Sequence, residues 1–206
     1  MSNQERFFAN VSNTARFCEA ITRFDELNAA DPNQELVDGR LRPRELVNAE
    51  RLARWVMTLA PDASEPLRLA SRCQHLCRWI IPRSSYEMTR TGYLQWRSDL
   101  KRFHAEKSSS VLHAVDYPEE VVRRVRELNL KKNFPTDPES RMLEDALCLL
   151  FLQFQLAEFA QKTNDGKVIN ALQKSWKKMT PGGHEHALKI SYGEREGSLI
   201  ERALRG

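Results

Sequence analysis

The sequence predicts an all-α protein that folds as a single helical bundle over residues 1–206. Apolar residues recur three and four positions apart in one segment after another, with charged residues between them, which is the period of an amphipathic helix. Hydrophobic residues make up 41% of the chain, which is enough to build a core, while there are only 8 glycines and few β-branched runs. This periodicity predicts about seven to nine helices.

Prolines and polar clusters divide the first half into successive helices. The predicted helices span 13–27, 43–59 and 64–79. The first ends before Asp31-Pro32-Asn33, and a proline stands near the start of each of the other two. The segment 83–91 lacks periodicity and is predicted to be a surface loop.

The second half continues the same pattern. Its predicted helices span 92–110, 118–130, 139–161 and 166–179, with one or two more up to residue 206. The segment 139–161 is the most apolar, so we expect it to be the central helix. Pro181-Gly182-Gly183 is predicted to close the basic helix before it, and 192–197 to form a loose turn.

Charge and cysteine content indicate a protein of the cytoplasm. The 32 basic and 28 acidic residues are interspersed, so a net charge of +4 describes a mixed surface and does not by itself predict nucleic-acid binding. Cys18, Cys73, Cys77 and Cys148 stand among apolar or helix-forming neighbours and are predicted to be reduced thiols. We expect no secretory signal and no membrane span, because no apolar run is long enough.

Polar residues interrupt four predicted helices where core positions are expected. These stretches are Asn48-Ala49-Glu50, Gln74-His75, Phe103-His104-Ala105-Glu106 and Leu143-Glu144-Asp145-Ala146. Imidazole nitrogens and carboxylate oxygens from several helices can converge on one divalent metal, which would offset the cost of burying them. The alternative is that the histidines are hydrogen-bonded and that the acids favour a helix N-terminus.

The chain order of these residues resembles the HD superfamily of metal-dependent phosphohydrolases. The segment 67–75 is similar to the superfamily helix that ends in the histidine of its His-Asp pair, and 143–147 to its final aspartate helix. Leu76 follows His75, however, and Glu50 stands where the first histidine is expected. The resemblance implies an HD-like bundle in which zinc, manganese or iron is bound by Glu50, His75, His104 and Asp145, with Glu144 and Asp145 as catalytic residues.

Five groups of motifs carry a second resemblance. They are Arg16-Phe17 with Phe24-Asp25-Glu26-Leu27-Asn28 and Asp31-Pro32-Asn33; Gln74-His75-Leu76-Cys77-Arg78-Trp79 with Pro82-Arg83; Gly92-Tyr93-Leu94-Gln95-Trp96-Arg97; Leu143-Glu144-Asp145 with Cys148-Leu149; and Lys174-Ser175-Trp176-Lys177-Lys178-Met179. With them the chain resembles an uncharacterised family of bacterial and fungal proteins, a domain of unknown function sometimes labelled glutamyl-tRNA synthetase-like. Membership implies little about mechanism, and the sequence has neither a nucleotide-binding strand and helix unit nor a HIGH-like signature to support the synthetase label.

Guanidinium groups and aromatic rings alternate in the segment around the predicted surface loop. The residues are Arg78, Trp79, Arg83, Tyr86, Arg90, Tyr93, Trp96 and Arg97. Guanidinium groups bind phosphate in a fork and rings stack on bases, so the segment suits a nucleotide or a phosphorylated metabolite. The predicted phosphate-binding residues are Arg78, Arg83, Arg90, Arg97, Lys131 and Lys177. The alternative is an arginine-rich surface loop over aromatic core residues.

Other motifs are less informative. Asp25, Asn28, Asp31 and Asn33 lack the central glycine and the terminal glutamate of a calcium loop, so they predict a helix end with capped turns. No Walker loop, GxGxxG or GxSxG motif occurs, which removes the sequence basis for P-loop and serine-hydrolase chemistry.

The leading hypothesis is a metal-dependent hydrolase of divergent HD type that acts on a phosphate-bearing nucleotide or metabolite. If the iron-binding branch of that superfamily is the better comparison, the same ligands would serve an oxygenase. The rival from another class is a non-enzymatic RNA- or tRNA-binding module. Its contact residues would be Arg78, Arg83, Arg97, Lys131, Trp176 and Lys177.

Overall fold

The structure is a computed structural model that describes the backbone of residues 3–205 and the side chains of residues 5–205. The described part is mostly helical, with eleven α-helices and one two-stranded sheet. It divides into two compact units, one up to Ser140 and one from Arg141. The single domain over 1–206 stays a prediction.

The first unit contains most of the helices and the sheet. Its elements are α1 (Asn3–Phe8), α2 (Thr14–Ala29), β1 (Gln34–Val37), β2 (Arg40–Pro43), α3 (Arg44–Leu59), α4 (Glu65–Cys73), α5 (Arg90–Ala114) and α6 (Glu119–Leu130), and α7 (Pro138–Leu150) begins in it. The second unit continues with α8 (Leu156–Lys162), α9 (Asp165–Lys178), α10 (Pro181–Leu188) and α11 (Glu194–Arg205). A helical chain is therefore confirmed, with more helices than predicted.

Helix α4 is the centre of the first unit and packs against α2, α3 and α6. Every residue from Leu67 to Cys73 is buried, including a cationic side chain. The guanidinium group of Arg68 donates to the carbonyl oxygen of Ala63 at 2.7 Å and to carbonyl oxygens at the end of α1. Its charge thus meets the negative end of that helix, which makes its burial tolerable.

A β-hairpin replaces part of the predicted loop before α3. Strands β1 and β2 pair antiparallel across Asp38-Gly39, with Val37 opposite Arg40. Asp38 and Gly39 have φ values of 50° and 76°, and a two-residue turn with positive φ at both positions matches the twist of the flanking strands. The Asp-Gly pair is a hairpin signal that the helical prediction overlooked.

The predicted helix 64–79 is too long, because α4 ends at Cys73. The chain then continues in a turn over 74–77 and in a short 3-10 helix, Arg78–Ile80. Cys77 has a left-handed backbone with φ of 55°, and its N–H donates to the side-chain oxygen of Asn28 at 3.1 Å. Both residues are buried, so this hydrogen bond from α2 holds the turn in place.

Helix α5 begins at Arg90, inside the segment predicted as a loop. The side chain of Thr89 accepts from the N–H of Gly92 and caps the helix. A Cβ atom at Gly92 would lie 2.3 Å from the carbonyl oxygen of Glu87. Only glycine allows the loop to approach the first turn of α5 this closely.

The most apolar predicted helix, 139–161, corresponds to α7, a π-helical turn and α8 in succession. The π-helical turn spans Phe151–Gln155, and the N–H of Leu156 donates to the carbonyl oxygen of Phe151 across it. In the second unit α9 packs against α11, and α8 contacts both. Among the described helices, none combines the length and apolar character that crossing a membrane requires.

Pro181-Gly182-Gly183 was predicted to close the helix before it, and this prediction is wrong. The motif begins α10. Thr180 caps α10 through the N–H of Gly183, and Pro181 occupies the first turn. A Cβ atom at Gly183 would lie 2.8 Å from the carboxyl group of Asp145. The glycine therefore permits close packing against an acid, which its sequence context alone does not reveal.

The cysteines agree with the predicted reduced thiols. Within the described residues no disulfide joins any of the four. Burial is the main cause that raises the pKa of Cys73 to about 11, so this thiol is protonated at neutral pH. Its sulfur lies 3.4 Å from the side-chain nitrogen of Asn129, also in the core.

The Asn28 bond to the turn generates a stability prediction. Asn28→Ala leaves the buried N–H of Cys77 without its acceptor, and we expect the free energy of unfolding to fall by about 1–3 kcal/mol. Urea unfolding followed by circular dichroism measures the change. The control is Asn170→Ala on the exposed face of α9, which should change stability by less than about 0.5 kcal/mol. Equal stability of the two variants would show that Asn28 does not hold the turn.

Candidate functional site

Two predicted metal ligands, His75 and His104, lie side by side in the first unit. His75 belongs to the turn after α4, and His104 lies in the middle part of α5. The centroids of their imidazole rings are 5.9 Å apart. His104 is buried and His75 is partly buried, so the pair stands at the edge of the core.

The ring of His104 is oriented by the same turn. Its Nδ1 atom lies 2.8 Å from the backbone carbonyl oxygen of Leu76. A carbonyl oxygen only accepts, so Nδ1 carries the proton and Nε2 of the neutral ring presents a lone pair. Nε2 is buried and has no hydrogen-bonding partner within the described residues. The site thus contains a buried acceptor that a ligand could satisfy.

Cationic side chains from three elements act electrostatically on His75, and two of them also act on His104. Arg78 starts the 3-10 helix, Arg97 lies on α5, and Lys131 follows the last residue of α6. We define the basic histidine site by five residues: His75, Arg78, Arg97, His104 and Lys131.

Burial and this positive field together keep the imidazoles neutral. Burial is the largest cause that lowers the pKa of His75 well below its usual range, and the charges of Arg78, Arg97 and Lys131 lower it further. Burial also lowers the pKa of His104 to about 4, although the Leu76 carbonyl opposes the shift. Both rings are therefore uncharged at pH 7 and available as hydrogen-bond acceptors.

Trp96 holds the backbone next to the site. Its indole N–H donates to the carbonyl oxygen of Ile81 at 2.9 Å. The guanidinium carbon of Arg78 lies 5.2 Å from the centroid of the indole ring, within the range of a cation–π contact. Part of the predicted segment of arginines and aromatic rings is thus assembled as a platform for one guanidinium group.

Glu45, at the start of α3, is a residue that the sequence analysis missed. It is 8% exposed, and its Oε2 atom is buried without a hydrogen-bonding partner in the described part of the chain. Burial raises its pKa to about 7, the charge of Arg78 opposes this shift, and the charge of Asp31 adds to it. Arg78 therefore interacts electrostatically with both Glu45 and His75, which links this carboxyl group to the basic histidine site.

The predicted four-ligand metal set includes residues of both units. Glu50 accepts two hydrogen bonds from Arg42, at 2.7 and 2.9 Å. Asp145 belongs to the second unit, where it accepts from the N–H and hydroxyl of Thr180. Within residues 5–205, no group of three or more histidine, cysteine, aspartate or glutamate side chains is arranged to hold a metal ion. The metal bound by Glu50, His75, His104 and Asp145 stays a prediction.

Glu144 and Asp145 have partners within the second unit. Lys178 lies 3.1 Å from the carboxyl group of buried Glu144. Asp145 is 1% exposed, and its carboxyl group accepts from the backbone N–H of Thr180, which precedes α10. Both acids lie inside α7, which begins at Pro138, and so not at its N-terminus as the alternative supposed. Their predicted catalytic role stays a prediction.

The remaining predicted phosphate ligands have separate environments. Arg83 donates to the carbonyl oxygens of Tyr86, Glu87 and Thr89, and so organises the loop before α5. Arg90 is exposed in the first turn of α5, and Lys177 is exposed on α9 in the second unit. Of the six predicted ligands, Arg78, Arg97 and Lys131 are the three whose charges act on His75.

The group of acids and amides at the end of α2 has the structural role that was predicted. Asp31 accepts from the backbone N–H of Asn33 at 2.9 Å and from the N–H of Glu45 at 3.0 Å. Asn28 accepts from Cys77. These contacts cap the end of the helix and attach α3 and the turn after α4, which explains why the site residues hold their positions.

Fold and site together define a helical protein in which two neutral histidines lie in the field of cationic side chains. The chain belongs to the family described as Domain of unknown function (DUF4202), which matches residues 18–200. The matched segment includes every residue of the basic histidine site. Comparison with curated proteins and with solved structures finds no match.

The buried carboxyl group of Glu45 generates a pH prediction. Its pKa is raised in the folded protein, so its contribution to stability is present at acidic pH and is lost as the pH rises from about 4.5 to about 7. We expect Glu45→Gln to remove this loss and to gain on the order of 3 kcal/mol relative to wild type between pH 4.5 and pH 8.

Urea unfolding across this pH range measures the effect. Glu106→Gln, an exposed change on α5, is the matched control and should follow the wild-type profile. Parallel profiles of wild type and Glu45→Gln would show that Glu45 titrates normally.

Proposed function

We propose that this protein binds a phosphate-bearing nucleotide or metabolite at the basic histidine site. The observation that carries the proposal is the buried, partnerless Nε2 of His104 beside three cationic side chains. A phosphate group would neutralise the cations, and a hydroxyl group of the same ligand would donate to the imidazole. Nucleotides and sugar phosphates combine these two chemical groups.

The division of roles follows from the chemistry of the side chains. The planar guanidinium groups of Arg78 and Arg97 suit two phosphate oxygens each, and Lys131 adds a compact charge. Neutral His104 accepts through Nε2 while Nδ1 stays bound to Leu76. His104 thus orients the ligand and is placed to take a proton from a ligand hydroxyl, although its low pKa makes it a weak base before an anion binds.

The charge of the site favours an anion over a metal ion. A dication and a monocation about 8 Å apart repel each other by about 4 kcal/mol at an effective dielectric constant of about 20. Three cationic groups act on His75, and Glu45, the carboxyl group whose charge acts on Arg78, has a pKa of about 7 and is only partly ionised at neutral pH. A phosphate gains from the same field that a metal would have to overcome.

The metal-dependent hydrolase of divergent HD type, and its iron-dependent oxygenase variant, stay predictions with one supporting feature. An imidazole that donates through one nitrogen to a backbone carbonyl is the usual arrangement of a metal-bound histidine, and His104 has this arrangement. His75 and His104 would be the two ligands from this site. No step of the proposed function requires the ion.

Binding of inorganic pyrophosphate tests the proposal. We expect Arg97→Gln to weaken the affinity about 10- to 100-fold, because a charge-assisted hydrogen bond is worth about 1.5–3 kcal/mol. Isothermal titration calorimetry at constant ionic strength measures the binding. Arg126→Gln on the exposed face of α6 removes an equal charge outside the site and should leave the affinity unchanged.

Histidine participation requires a ligand with a hydroxyl group, so ADP is the second probe. His104→Asn keeps a donor for the Leu76 carbonyl and removes Nε2. We expect this variant to weaken the binding of ADP more than the binding of pyrophosphate. Equal affinities of wild type and Arg97→Gln for both probes would overturn the proposal. Tight binding of bulk tRNA that falls steeply with salt, without binding of either small probe, would overturn it in favour of the RNA-binding module.

Elemental analysis of protein purified without chelator tests the metal. The proposed function predicts less than stoichiometric zinc, manganese and iron in wild type, and the same low content in His75→Ala and His104→Ala. One equivalent of metal in wild type that is lost in both variants would overturn the anion proposal and support the hydrolase or the oxygenase.

A further inference from the structure

A cavity of about 680 Å³ opens among α1, α2, α3 and α4 of the first unit. Its lining residues are Phe7, Phe8, Ile21, Asp25, Glu50, Ala53, Arg54, Met57 and Arg72. Its volume is within the range of small-molecule sites, about 300–1,000 Å³. It shares no residue with the basic histidine site, and we call it the Arg54 cleft.

One part of the Arg54 cleft is apolar and well packed. Phe8 is partly exposed, and its ring lies 5.2 Å from that of Phe7 and 5.8 Å from that of Phe17, both at nearly right angles. Met57 and Ile21 are buried in the adjoining helices. These side chains offer a hydrophobic surface to the body of a ligand, and burial of apolar area there would supply binding energy.

The acids of the cleft already have cationic partners. The guanidinium group of Arg72 donates to both carboxylate oxygens of Asp25. Glu50 forms its two hydrogen bonds with Arg42. Neither carboxylate therefore leaves a negative charge available to attract a cationic ligand.

Cationic donors remain without acceptors. The side chain of Arg54 is exposed, and the described part of the chain offers it neither an ion pair nor a hydrogen bond. The Nε atom of Arg72 is buried and also lacks an acceptor. The charge available to a ligand in the Arg54 cleft is therefore positive, and it lies beside an apolar wall.

We propose that the Arg54 cleft binds an amphiphilic carboxylate, whose head group pairs with Arg54 and whose hydrocarbon body packs against Phe8 and Met57. A monoanion fits better than a dianion, because the carboxylates of Asp25 and Glu50 line the same cleft. Burial raises the pKa of Asp25, and the charge of Glu50 adds to that shift, which reflects the same crowding of acids. The proposal does not depend on the function of the basic histidine site.

Binding of decanoate below its micellar concentration tests the proposal, measured by isothermal titration calorimetry. We expect Arg54→Gln to weaken the affinity at least tenfold, Arg54→Lys to retain most of it, and Phe8→Ala to weaken it by shortening the apolar wall. Arg126→Gln is the control and should match wild type. Decylammonium and decanol should bind at least tenfold more weakly than decanoate.

Two results would overturn the proposal: equal decanoate affinity in wild type and Arg54→Gln, or equal affinity for decanoate and decylammonium. Pyrophosphate binding by Arg54→Gln should equal that of wild type. Because each probe reports on one site, failure of decanoate binding and failure of pyrophosphate binding are separate outcomes.

Discussion

The hydrogen bond from the backbone N–H of Cys77 to Asn28 is the constraint on which the basic histidine site depends. It holds the left-handed residue that closes the turn over 74–77, and this turn ends α4 at Cys73. The turn then presents the Leu76 carbonyl to His104 and places His75 beside it. One buried side chain of α2 thus decides where two other elements meet.

The two sites of the first unit use charge differently although they are close in sequence. Arg72 lines the Arg54 cleft and neutralises an acid there, while His75, three residues later, lies in a field of cations with the partly ionised Glu45 nearby. In the cleft, paired acids leave a small positive excess beside an apolar wall. In the histidine site, the charges of three cations act on a neutral imidazole, so the two proposed sites would suit anions of different charge and size.

Much of the helical architecture could be predicted because apolar spacing is a local property. The end of α4 at Cys73 could not be predicted, since no glycine or proline marks it and the turn that follows is held by Asn28, 49 residues before Cys77. Long-range contacts also decide which acid of α3 interacts with the basic histidine site, so the sequence could not identify it. Glu45 and Glu50 lie on one helix, but Glu50 is paired with Arg42. Glu45 is buried and interacts electrostatically with Arg78. The sequence could predict that His75 and His104 lie near each other and that Arg78 and Arg97 belong to one basic segment. It could not predict the orientation of these side chains.

The number of residues in the π-helical turn Phe151–Gln155 determines which face of α8 is buried. The turn holds one residue more than an α-helical turn, so deleting one residue there would restore a regular helix and rotate α8 by about 100°. Leu156 and Ala160, now buried, would turn away from the core, and exposed Ala157 would move towards it. Related proteins should therefore accept many substitutions in this segment while keeping its number of residues constant.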